Sequence, residues 1–140
     1  MKKIIGAFTV SLLLIGLSGC LSANKHILDS DQSQVALRQI QSRAFDTTDR
    51  EKTLRSVIAT LQDLGFVIDK ADLALGSVSA TKLSGYALRM TVTVHPRGTA
   101  QLMVRANAQY NVQVVNDPEP YQQFFAALGK AMFLTAQNID

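Results

Sequence analysis

The chain has 140 residues, with 14 Lys+Arg against 11 Asp+Glu and 47% hydrophobic side chains, a size and composition suited to one folded domain. Its lone Cys excludes an internal disulfide. The small positive excess forms no basic stripe, which excludes nucleic acid as an expected partner.

The chain opens with Lys2 and Lys3 followed by Ile4–Leu17, a run of 14 mostly apolar residues. That run is shorter than the roughly 20 residues a bilayer-spanning helix needs, and it suits the core of a signal peptide. Gly6 and Gly16 within it are poor choices for a stable core helix. Leu17-Ser18-Gly19-Cys20 comes next, and this stretch resembles the lipobox of bacterial lipoproteins. The resemblance implies that residues 1–19 are a signal peptide, that Cys20 is lipidated on its thiol, and that its new amine is acylated. The plainer alternative is an ordinary secretory signal that ends beside an unrelated Cys. The lone cysteine falling at this position favours the lipobox. Each buried methylene contributes about 0.8 kcal/mol, so the several acyl chains of this family imply a stable anchor. Leu21 stands where an Asp retains many such proteins in the inner membrane. The expected address is therefore the periplasmic face of the outer membrane, with the inner membrane as the alternative. Loss of residues 1–19 removes Lys2 and Lys3 and leaves a mature chain close to neutral.

Ser22 to Gln34 is polar and reads, with Cys20, as a tether over residues 20–34, ahead of one domain over 35–140. Fully stretched it reaches about 45–50 Å; as a flexible coil it averages about 20 Å. Leu37–Phe45 is a candidate first strand with untidy alternation. Thr48-Asp49-Arg50-Glu51 fits a capping box, with the Thr hydroxyl and Glu carboxylate serving free amides at a helix start. Leu54, Val57, Ile58, Leu61 and Leu64 then form one apolar helical stripe, and Gly65 is placed as its stop.

Phe66-Val67-Ile68 begins a strand, Ala74-Leu75-Gly76 a bend, and Val78–Leu83 a second strand closed by a Ser84-Gly85 turn. Tyr86, Leu88, Met90, Val92 and Val94 alternate with Arg89, Thr91, Thr93 and His95. After Pro96-Arg97-Gly98 the even positions from Leu102 through Val112 and Val114 are apolar or small. This predicts one long half-buried antiparallel strand. Asp117-Pro118-Glu119-Pro120 opens a last helix whose stripe is Tyr121, Phe124, Phe125, Leu128, Met132 and Phe133.

The expected class is α+β: an antiparallel sheet of four to five strands in the order β-α-β-β-β-β-α, with both helices on its one apolar face. The stretch Leu61-Gln62-Asp63-Leu64-Gly65-Phe66-Val67-Ile68, Gly76-Ser77-Val78-Ser79 and the closing aromatic helix resemble helix-grip domains of the BamC type. The resemblance implies a fold and transfers no binding residue.

Chemistry is sparse. His26 and His95 have no metal-ligand spacing around them, and no Gly-rich phosphate loop or GxSxG elbow occurs. Asp46, Asp49 and Glu51 suit helix capping, and Asp69 and Asp72 a turn. No catalytic residue, metal or cofactor is expected. The polar sheet face holds Arg89, Met103, Arg105, Asn107 and Gln109, which read either as hydrated surface or as a partner-binding surface with Met103 as anchor. A free sheet edge is a further docking candidate. The expected function is a non-enzymatic, lipid-anchored accessory or scaffold protein of an envelope assembly or transport complex, with an envelope protein as partner. The alternative is a glycan- or peptide-binding module with a pocket of Tyr86, Tyr110, Tyr121 and Phe125.

Overall fold

The structure, a computed structural model, describes residues 33–84 and 86–136, without the side chains of Tyr86 and residues 134–136. The lipobox-like stretch ending at Cys20, with His26 and Gly85, lies outside the described residues. The chain divides into the units Met1–Ala36 and Leu37–Asp140, and every described strand belongs to the second.

The described chain begins in a helix, α1 (33–41), where the sequence suggested the end of a tether and the start of a strand. Leu37, Ile40 and Gln41 explain the difference. They are spaced by three and one, they are the positions of α1 turned inward, and Leu37 and Ile40 pack against the core. Only Ser42–Phe45 is strand, β1.

Helix α2 (Arg50–Asp63) starts one residue later than a Thr48 cap would place it. Asp49 is the N-cap, and its carboxylate accepts from the Lys52 amide at 2.9 Å. Glu51 turns instead to Arg55, at 2.6 Å. The helix ends as expected at Gly65, whose φ of +83° suits a residue without Cβ. The Gly65 amide donates to Gln62 O and the Phe66 amide to Leu61 O, a Schellman motif that buries Phe66 beside Leu61.

Strands β2 (Val67–Asp72), β3 (Ser77–Ser84), β4 (Tyr86–Arg97) and β5 (Gln101–Tyr110) run antiparallel in sequence. The long strand expected to continue through Val114 breaks at Asn111, where φ is +54°. A short β6 (Gln113–Val114) folds back on β5, pairing Tyr110 with Gln113 and Gln109 with Val114. A two-residue loop pairs residues of opposite parity, so the alternation changes phase. Val112 and Val114 are exposed, and Val115 is buried in their stead.

The sheet has six strands in the order β1-β5-β4-β3-β2, with β6 also paired to β5. Helix α3 (Glu119–Ala136) and α2 cover one face of it. Met90, Val92 and Val94 of β4 and Leu102, Val104, Ala106 and Ala108 of β5 form its buried side. Leu54, Val57 and Leu61 come from α2 and Tyr121, Phe124, Phe125 and Leu128 from α3. Of the α3 stripe, Met132 is only partly buried and Phe133 is exposed. The protein is thus α+β, an open antiparallel sheet with helices on one face.

Candidate functional site

Strict alternation along β3, β4 and β5 turns one complete set of side chains away from the helices. The register aligns them in rows across the sheet: Thr81–Arg89–Gln109, then Ser79–Thr91–Asn107, then Ser77–Thr93–Arg105. His95 and Met103 pair in the next row. None of the outward positions of these three strands is acidic. Arg89, Arg105, Asn107 and Gln109 are exposed and Met103 is half-buried, so the five partner-binding candidates share this face.

Arg89 and Arg105 do not share one site. They stand two rows and one strand apart, about 14 Å by ordinary sheet spacing. Arg105 donates through Nε to the Ser42 hydroxyl at 3.2 Å. Arg89 has no hydrogen bond or ion pair among the described residues. It lines a hollow of about 320 Å³ with Thr91, Asn107, Ala108, Gln109 and Val114. Val114 was missed by sequence reasoning, because it enters this face only through the phase change at the Asn111 turn.

The edges of the sheet are less available than its face. On β2 the register slips between Ile68 and Lys70, a bulge that interrupts the regular row of edge hydrogen bonds. Asp69 at that bulge accepts from the Thr81 hydroxyl at 2.6 Å. At the opposite side β1 and β6 are short, and between them the Tyr121 hydroxyl serves the ladder itself. It donates to Val115 O at 2.7 Å and accepts from the Ala108 amide at 3.2 Å and from Gln41 Nε2 at 3.3 Å.

The four-aromatic pocket does not form as expected. Tyr121 and Phe125 are fully buried in the core, and the side chain of Tyr86 lies outside the described residues. Tyr110 instead lines a groove of about 300 Å³ at one end of the sheet, with Phe66, Leu88, Lys82 and Pro120. Lys82 Nζ stands 5.9 Å from the Phe66 ring centre there.

The remaining polar candidates serve the fold. Asp46 accepts from Gln101, Asp49 caps α2, and Asp72 accepts from the Leu75 amide within the β2–β3 turn. His95 is exposed, and among the described residues no three His, Cys, Asp or Glu side chains are grouped to hold a metal. No described helix is long and apolar enough to cross a membrane. Neither a protein-family model nor a curated protein sequence matches the chain.

Proposed function

We propose that this protein is a non-enzymatic accessory or scaffold of an envelope assembly or transport complex, anchored through a lipidated Cys20 at the periplasmic face of the outer membrane. Its partner protein docks on the uncovered sheet face. The observation that carries the docking surface is that no outward residue of β3–β5 is acidic and that Arg89, beside the Asn107 and Gln109 amides, has no hydrogen bond or ion pair among the described residues. A merely hydrated surface has no need to exclude acidic side chains from three adjacent strands. Arg and Met are enriched where partners bury surface, which supports Arg105 and Met103 as contacts. The anchor rests on the lipobox-like stretch and the lone Cys.

Two measurements test the reading. Labelling cells with a radioactive fatty acid should mark the parent and not Cys20→Ala; equal label in both removes the anchor. Arg105→Glu and Met103→Asp should lower recovery of co-purifying envelope proteins while leaving the melting curve near the parent. Unchanged recovery in both removes the docking face. A second reading, a small-ligand module, is favoured only by the groove at Tyr110, Phe66 and Leu88, where apolar and aromatic walls meet Lys82, Asp117 and Glu119.

A further inference from the structure

The row through Arg89 extends beyond the central strands. Val67 of β2 pairs with Thr81, and Val114 of β6 pairs with Gln109, so the full row reads Val67–Thr81–Arg89–Gln109–Val114. Residues directly paired across an antiparallel sheet share a face. Both end valines are exposed, Val67 at 71% and Val114 at 53%. The arginine therefore sits between two exposed apolar groups, each two strands away. With neighbouring strands about 4.8 Å apart, each valine is about 9.6 Å from Arg89 along the row.

That interval selects a ligand conformation. A polyproline II segment rises about 3.1 Å per residue with three residues per turn, so it presents every third side chain to one side at intervals of about 9.3 Å. A β-strand laid across the row repeats a face every second residue and turns the residue three positions on, at the matching distance, away. The charge of the row selects the middle side chain. Arg89 has no hydrogen bond or ion pair among the described residues, the Asn107 and Gln109 amides join it at the hollow, no outward residue of β3–β5 is acidic, and the Asp69 carboxylate that reaches the row from β2 is taken up by the Thr81 hydroxyl. Such a set of donors fits a carboxylate.

Resting on the docking-face reading above, we propose that the partner contributes an extended polyproline II segment of the form apolar-x-x-acidic-x-x-apolar, laid perpendicular to the strands. Its Asp or Glu side chain enters the hollow and pairs with Arg89. Its two apolar side chains rest on Val67 and Val114. The exposed valines are thus terminal contacts of the site and the arginine its centre.

The probe is a fluorescein-labelled heptapeptide with leucine at both ends, glutamate in the middle and proline between, titrated to millimolar concentration. The protein is the full chain purified in detergent, and the readout is fluorescence anisotropy. Saturable binding is expected, weakening with added salt. Arg89→Ala should weaken it about tenfold, the loss of one charge-assisted pair. Glutamine in place of the peptide's glutamate should weaken it equally, and moving the glutamate one position along should also lose affinity. Val67→Ser and Val114→Ser should each weaken binding less than Arg89→Ala. All three side chains are exposed, and unchanged melting curves show that folding is unaffected. No binding, or binding that is indifferent to Arg89 and to the peptide's charge, overturns the proposal. If partner recovery still falls in Arg105→Glu and Met103→Asp, the docking face survives that failure. Arg89-dependent peptide binding with unchanged partner recovery instead removes the envelope-complex reading and keeps the acidic-segment site.

Discussion

At Tyr121 one hydroxyl occupies the place of a missing backbone contact. Ala108 O accepts from the Val115 amide at 2.9 Å, but the return bond from the Ala108 amide is routed through the phenol to Val115 O. Tyr121→Phe removes the relay while keeping the ring, and leaves buried polar groups without partners. The expected cost is about 1–3 kcal/mol. It should appear as a lower denaturant midpoint and as faster hydrogen exchange at the Ala108 amide; no change in either means that the ladder closes without the phenol. Gly76 poses a backbone problem. Its φ is +74°, and a Cβ there would meet the Arg50 guanidinium and lie 2.8 Å from Val94 O. Arg50 itself donates to Ala74 O at 3.0 Å and so pins the β2–β3 turn to α2. Gly76→Ala should destabilise the protein by more than the roughly 1–2 kcal/mol of the left-handed conformation alone. Adding Arg50→Ala should restore only part of the loss, because the Val94 carbonyl belongs to the main chain. Full rescue in thermal melts would assign the whole clash to the arginine.

Among the elements, the ends of α2 show how local chemistry sets a boundary. Asp49→Ala should cost about 1 kcal/mol, because the Lys52 amide loses its acceptor, whereas Thr48→Ala should be nearly neutral. Denaturant melts of the two variants decide between an Asp49 cap and a Thr48 cap. The apolar stripes of α2 and α3 and the alternation in β4 were legible because each element repeats its signal over several turns or pleats. The start of β1 was not. The spacing of Leu37, Ile40 and Gln41 is helical, yet it runs without a break into Ser42–Phe45, and only docking on the core separates the two. The β5–β6 turn was also hidden. Asn111 tolerates a positive φ, but Val112 is a strand former, and the even positions on both sides of the turn are apolar or small.

For the whole molecule, the division between a filled helical side and an open sheet side predicts two classes of variant. Leu61 and Phe125 are buried on α2 and α3, so Leu61→Ala and Phe125→Ala should each lose about 2–5 kcal/mol in denaturant melts. Arg89→Ala and Arg105→Glu, on the open side, should melt within about 0.5 kcal/mol of the parent. Parent-like melting of both core variants would contradict the burial of the helix stripes. A large loss in Arg89→Ala would give that side chain a structural role in place of a docking one.

The α+β class, the two covering helices and the outward set of residues on β4 and β5 are legible in the amino-acid pattern alone. Those follow from periodicity, since a period near 3.6 or 2 must present one apolar side for burial. The five partner-binding candidates were all legible in that pattern. Their grouping was not, because alternation shows which face a residue takes and leaves its cross-strand neighbours open. Only the tertiary register set Arg89 in a row with Val67 and Val114, from strands 22 residues before it and 25 after it. Only packing placed Tyr121 and Phe125 in a filled core and left the groove at Tyr110, because cavities depend on how elements from distant parts of the chain meet.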